Sequence, residues 1–335
     1  MDNSVVINNR KTRNGGVELL RCICMFGFVC LHVIGYSAIA PFGSPEPQSY
    51  FLLHLRYVLN IGVDVFAFIS GFYGIRFTIH KFLNLFFIGA FSTIVVFFAE
   101  VYYFNVEIKI LNLVQIFLKN WYFREYLILF LLSPFLNVFC EKDDKNTNHK
   151  VIFSLIILFL WNFLACQLPT SFGQSNSLGN HSAMLLIMIY LLGRYLNKNC
   201  VLQNIKLWIL ILSFTCCLPV LFCFSRLKDF SSPFCIIAAI SLFEIFRRLP
   251  VSVVVTKISC FISPSLLGIL ILHNAGSHNI SGGLVHRYFL NFSGNLNGAS
   301  FLLYAFIIFF IALAVDLLRR LIYFFFLKIT KGGKK

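Results

Sequence analysis

Charge is scarce in this chain. Only 12% of its 335 residues are Asp, Glu, Lys or Arg, while 59% are hydrophobic and the mean hydropathy is +0.82. A soluble globular domain carries about 25% charged residues, so a water-soluble fold is excluded. Acid is scarcer still, with 13 Asp+Glu against 28 Lys+Arg and a net charge of +15. A basic surplus can mean nucleic acid, but here the basic clusters fall between apolar runs, as in the cytoplasmic loops of a membrane protein. The expected partner is a lipid bilayer and not nucleic acid. Also missing are a Gly-rich phosphate loop, a GxSxG elbow, an HExxH pair and a paired-Cys zinc spacing. A hydrolase or an ATP-driven pump has no basis without them, and neither a metal nor a permanently bound cofactor is expected. Eleven Cys are present, yet no CxxC pair. Cys22 and Cys24 would point to different sides of a helix, so the thiols read as small buried hydrophobes kept reduced.

What is abundant is Phe, at 41 residues, on a Leu/Ile-rich background that suits a lipid-facing surface. About twenty apolar residues cross a bilayer. Runs of that kind lie at 17–37, 54–75, 82–100, 121–140, 151–168, 181–197, 205–225, 233–248, 258–275 and 300–326, so the expected fold is an all-α bundle of about ten transmembrane helices. The first run lacks a small-residue cleavage site and others follow directly, so it reads as a retained span. Counted at alternate ends of the spans, Lys+Arg divide 20 to 5, which puts both termini in the cytoplasm. Pro41–Pro47, Thr170–Asn180 and Gly276–Ala299 then face outward, and Glu141–Lys150 is a solvated cytoplasmic connection. The domain reading is a tail at 1–16, one membrane domain at 17–326 and a basic tail at 327–335.

An ionisable group at the centre of a span costs about 2.5–3.5 kcal/mol on insertion scales, so those that remain are informative. In the first span they are Glu18, Arg21 and His32. Arg21 and His32 are eleven positions apart, which is ~20° past three full turns with a rise of ~16 Å. Both side chains share one inward stripe, and Glu18 can pair with Arg21 along it. Asp64 lies ~13 Å from the outer end of the second span, and His32 ~7 Å from the outer end of the first. At such depths an acid could orient and charge-stabilise an imidazole. Ser70-Gly71 offers a small-residue patch for close helix approach. Arg76, at the membrane edge, is either a topology anchor or a ligand-binding group. His273, ending the ninth span, is an interfacial residue or a second functional imidazole at the depth of His32. A metal set of His273, His278 and His286 has no carboxylate or Cys to support it. Trp121, Arg124 and Glu125 open the fourth span, as rim residues or as a surface that stacks on and hydrogen-bonds a sugar. Glu100, Glu244 and Asp316 lie near span ends and default to paired positions. A buried His as general base, an acid near it and an Arg lower on the same helix suit acyl transfer from a phosphorylated carrier to a hydroxyl.

These landmarks together resemble the acyltransferase 3 family of integral membrane acyltransferases. Arg21 and His32 match its Arg-x10-His signature. Gly62–Phe72 is similar to its Phe-Phe-x-x-Ser-Gly-Tyr/Phe motif, although the Phe-Phe pair is Phe66-Ala67 here and the basic run after it is reduced to Arg76 and Lys81. Trp121–Asn137 is similar to the Trp-Phe-x-x-x-Tyr-Leu…Pro-x-Leu-Asn stretch of polysaccharide-modifying members. Tyr190–Tyr195 and Leu272-His273 fall where the family has such segments. The resemblance implies a stand-alone O-acyltransferase of a bacterial cytoplasmic (inner) membrane. Its donor is acyl-CoA, with acetyl-CoA as co-substrate, and its acceptor a hydroxyl of a surface polysaccharide such as O-antigen or capsule, or of a lipid-linked precursor. Within it His32 is the catalytic group, as general base or transient acyl carrier, with Asp64 as orienting acid. Arg21, with Arg76 and Lys81, holds the donor, and Glu18, Ser70, Trp121, Glu125 and His273 complete the donor- and substrate-binding set. The other class in view is a secondary transporter or flippase. Transporters commonly show two related halves, and none is visible here.

Overall fold

In the computed structural model the described residues are 13–36, 50–141, 150, 153–160, 182–224, 230–274 and 300–332. Every regular element among them is helical. The order is α1 (Gly15–Tyr36), α2 (Tyr50–Leu59), α3 (Ile61–Tyr73), α4 (Ile79–Phe104), α5 (Ile110–Lys119) and α6 (Trp121–Glu141). Then follow α7 (Ala183–Lys198), α8 (Leu207–Cys223), α9 (Pro233–Arg248), α10 (Val253–Ile262), α11 (Leu266–Asn274) and α12 (Ser300–Gly332).

Among the described residues, six helical stretches are long and apolar enough to cross a membrane: Gly15–Tyr36, Tyr50–Tyr73, Ile79–Tyr103, Trp121–Glu141, Val253–Asn274 and Ser300–Phe325. Each coincides with one of the ten expected runs. Three of the remaining runs are helices as expected, but α7, α8 and α9 have only 16, 17 and 16 residues. At 1.5 Å per residue each covers roughly 24–26 Å, short of a hydrocarbon core of about 30 Å. Most of the run 151–168 lies outside the described residues, with 153–160 helical. Pro41–Pro47, Thr170–Asn180, Gly276–Ala299, residues 1–12 and 333–335 of the tails, and most of the 141–150 connection also lie outside them.

Local chemistry sets several helix ends. Asn14 caps α1 by accepting from the Val17 N–H at 3.0 Å, and its amide donates to the Arg247 carbonyl at 2.9 Å, tying α1 to α9. Thr78 and Ser182 cap α4 and α7 in the same way. Gly74, at φ 73°, ends α3 by donating to the Ser70 and Gly71 carbonyls. The second membrane stretch is broken at Asn60 into α2 and α3, and α10 and α11 are separated by a short 3-10 turn at Ser263–Ser265.

The hub is α1, which packs against α2, α3, α9, α10, α11 and α12. Lipid tails are as apolar as Leu, so helix association in a bilayer relies on close packing and hydrogen bonds. One close approach joins α3 to α7, where Gly71 lies against the backbone of Tyr190, and a Cβ on Gly193 would stand 2.8 Å from the Phe68 carbonyl oxygen. Next to it, the Tyr190 hydroxyl donates to Asn137 Oδ1 at 2.6 Å and accepts from the Ile75 N–H at 3.0 Å. The Asn137 amide closes the loop on the Ile75 carbonyl at 2.8 Å. Glu244 pairs with Arg247 and Arg248, and Asp316 with Arg319, each at 2.6 Å. Outward, Phe98, Phe135, Phe310 and Phe324 stand exposed as a lipid-facing surface would require. Gly71→Val drives a branched side chain into the Tyr190 backbone. Overpacking of this kind costs about 1–3 kcal/mol, so the variant should melt several degrees below wild type in detergent, read by thermal unfolding of the purified protein.

Candidate active site

Two cavities flank the middle of α1. One, of about 250 Å³, is lined by His32 together with Arg56, Asn60, Asn120, Trp121 and Asn274. The other, of about 210 Å³, is lined by Arg21 and Ser70 among apolar side chains from Met25, Phe66, Leu85 and Leu266. Phe28, Tyr122 and Leu270 line both and form the wall between them. The early residue of α1 shares a cavity with the late residue of α3, so these helices run in opposite directions. By the same reasoning α11 runs with α1, and α6 against it.

His32 is half-buried in its cavity wall, and its Nδ1 meets two acceptors. The Phe28 carbonyl oxygen is 2.8 Å away and His273 Nε2 is 3.1 Å away. A carbonyl only accepts, so Nδ1 of His32 carries the hydrogen. His273 is fully buried, and its own Nδ1 lies 2.6 Å from the Ile269 carbonyl. That nitrogen therefore carries its hydrogen and leaves Nε2 as an acceptor. The partners thus assign one tautomer to each ring. In that tautomer the basic nitrogen of His32 is Nε2. The rings meet edge to face with centroids 5.0 Å apart, and Tyr36 stacks on the other side of His32 at 6.0 Å.

The hydrogen bond from Asp64 to His32, expected from their depths, is not formed. Asp64 is fully buried, and its carboxylate meets the Cys235 thiol and not His32. The reason is rotational. Gly62 faces α1, where a Cβ would stand 3.1 Å from Phe28 and 3.3 Å from Cys24, and Phe66 stacks on Phe28 from the same side. Two residues beyond Gly62 is ~200° around the helix, which turns Asp64 away toward Cys235 of α9. His273, expected in the donor- and substrate-binding set, lies behind His32.

The other sequence candidates divide. Arg21 lines the second cavity; Glu18 holds its Nη1 at 3.7 Å, and its Nε has no hydrogen-bond partner among the described residues. Ser70 lines the same cavity and donates back to the Phe66 carbonyl at 2.9 Å. Arg76 and Lys81 are exposed, linked by a 3.0 Å bond from Lys81 Nζ to the Arg76 carbonyl, and neither lines these cavities. Trp121 lines the His32 cavity, whereas Glu125 is held by Arg124 at 2.7 Å and does not. His278 and His286 lie outside the described residues. Sequence reasoning passed over Arg56, Asn60, Asn120 and Asn274. Their signal was present as polar groups in or beside apolar runs, where a lone Asn or Arg near a span end is also an ordinary interfacial residue.

Residues 14–318 match the acyltransferase 3 family, described as an acyltransferase domain. The match spans nearly the whole chain, and the chain belongs to that family. It is a multi-pass membrane acyltransferase. No curated protein and no solved structure matches it. If His273 fixes the His32 ring, His273→Phe removes the acceptor facing Nδ1. Losing a partner that orients a functional imidazole costs roughly 10–100-fold. The expected result is that loss in kcat with little change in donor KM, and a smaller loss for Asp64→Asn, both read by steady-state acyl transfer.

Proposed function

We propose that the protein is an O-acyltransferase that takes an acetyl group from acetyl-CoA at the cytoplasmic face and passes it to a glycan hydroxyl at the outer face. The acceptor is a surface polysaccharide or its lipid-linked precursor, and the setting a bacterial inner membrane crossed about ten times with both termini inside. The observation that carries this reading is the pair of cavities meeting at Phe28, Tyr122 and Leu270, with a guanidinium in one and an imidazole in the other.

Arg21 suits an anionic carrier, because a guanidinium matches phosphate oxygens and stays charged. His32 suits the acceptor. A hydroxyl is a weak nucleophile until its proton has somewhere to go, and imidazole is the side chain ready to take it near neutral pH. The acceptor oxygen attacks the thioester carbonyl carbon while its proton passes to His32 Nε2. Collapse of the tetrahedral intermediate breaks the C–S bond, and the departing thiolate takes the proton back. During that interval the Nδ1–H of the imidazolium donates to His273 Nε2, a charge-assisted bond stronger than the neutral one.

The test is transfer of radiolabelled acetyl from acetyl-CoA to glycan by the purified protein in proteoliposomes. General-base help is typically worth about 10²–10⁴-fold. His32→Ala should lose that much kcat at wild-type abundance, and normal transfer by His32→Ala would reject the assignment. Arg21→Gln should raise the apparent KM for acetyl-CoA, whereas lower abundance with intact specific activity would make Arg21 a structural partner of Glu18 alone.

A further inference from the structure

The His32 cavity is furnished beyond what proton transfer requires. Among its described lining residues Arg56 carries the one fixed charge and none is a carboxylate. The Arg56 side chain comes from the last turn of α2, and the residue is only 7% exposed. Its placement is held locally: Nη2 donates to the Tyr57 hydroxyl at 3.3 Å, and Cζ lies 5.2 Å from the centre of that ring. The donor's phosphates do not account for it, because Arg21 serves the opposite cavity across the Phe28–Tyr122–Leu270 wall.

A second observation is independent of Arg56. Asn120 is 3% exposed and lines the same cavity. Its Oδ1 accepts from the Phe123 N–H at 3.0 Å, which fixes the amide so that Nδ2 is the remaining group. Nδ2 has no hydrogen-bond partner among the described residues, and neither has the Tyr122 hydroxyl on the shared wall. Buried donors in native proteins are normally satisfied, so two unmet donors beside a guanidinium describe a place for oxygen-rich negative charge. Trp121 stacks on Phe230 at 5.7 Å next to it, offering an apolar face to a sugar ring.

We propose that this cavity takes an anionic acceptor: a glycan carrying a carboxylate or phosphate close to the hydroxyl that is acylated. Arg56 binds the anion, and Asn120 Nδ2 donates to the same group or to a neighbouring sugar oxygen. The proposal rests on the acyl-transfer reading above and adds the acceptor class to it.

The experiment uses the full-length protein in detergent with labelled acetyl-CoA and three acceptors. These are a glucuronate-ended oligosaccharide, its carboxyl-reduced neutral twin, and a polyprenyl-diphosphate-linked neutral oligosaccharide. A hydrogen-bonded ion contact in a buried site is worth about tenfold or more in affinity. The expected result is a KM at least about tenfold lower for one charged acceptor than for the neutral twin, with that ratio falling toward one in Arg56→Gln and partly kept in Arg56→Lys. Preference for the uronate or for the diphosphate identifies the source of the anion. Binding of the two charged probes without acetyl-CoA, measured by calorimetry on wild type and Arg56→Gln, gives the same answer if catalysis is lost in the variant. Equal use of all three acceptors by wild type would overturn the anionic-acceptor proposal and leave acyl transfer standing. An Arg56→Gln defect equal for charged and neutral acceptors would do the same. Transfer to none of them, with no binding of either charged probe, would overturn both.

Discussion

Glu18, Arg21 and His32 lie in an otherwise apolar helix, and that placement constrains the rest of the molecule. None of these side chains can face hydrocarbon without a cost of about 2.5–3.5 kcal/mol at mid-membrane on insertion scales. A helix carrying them must be surrounded by protein, and α1 is, with α2, α3, α9, α10, α11 and α12 around it. So many neighbours leave little freedom for where each of them stops. Gly16 against the Phe246 carbonyl and Gly62 against Phe28 and Cys24 let helices approach where a larger residue would hold them apart. Elsewhere, large side chains such as Phe28 keep them separated, and the cavities lie on either side of that ring.

Asn60 breaks the second membrane stretch into α2 and α3 at the level of the His32 cavity. The chain tightens there into one turn of i→i+3 bonds, the Asn60 N–H donating to the Tyr57 carbonyl at 3.2 Å and the Val63 N–H to the Asn60 carbonyl at 3.0 Å. The break, the cap of α6 at Asn120 and the end of α11 at Asn274 bring three helix ends to one chamber. Irregular backbone at membrane depth is tolerated where it lines a cavity. Helix ends and polar amides therefore coincide for one physical reason, and they furnish a site that a bundle of uninterrupted helices would lack.

Much of this was legible from sequence, and the failures have specific causes. The stripe from Arg21 to His32 follows from helical geometry alone, and the structure puts the two residues in adjoining cavities. The matching depth of His273 was visible as well, because position along a span is a linear quantity. Rotation about a neighbouring helix is not. Asp64 has a comparable depth but faces α9, since Gly62 and Phe66 decide which side of α3 meets α1. The run 205–225 overshoots α8 because an apolar run continues past the last helical residue, as at Phe224, whereas 233–248 has the bounds of α9. Arg56 escaped notice because a lone Arg near a span end also serves as a membrane anchor, and only the cavity distinguishes the two uses.

The exchange of an expected acid for His273 behind His32 has a chemical logic. A carboxylate bonded to Nδ1 would fix the same tautomer, but it would place a full negative charge beside an apolar wall. Buried ions of that kind cost several kcal/mol unless paired. A neutral imidazole whose own proton is committed to the Ile269 carbonyl presents only a lone pair. It directs the ring and selects Nε2 without adding net charge to the resting site. Positive charge then exists only while the acceptor's proton resides on His32, and in that state the bond to His273 strengthens. A carboxylate would stabilise the charged ring more, as the acid of a Ser-His-Asp triad does, but it would do so in a chamber whose fixed charge is already set by Arg56. An acid there would compete with any anionic acceptor for that guanidinium. The neutral pair avoids the competition, so the choice of orienting group and the charge of the acceptor cavity follow from the same constraint.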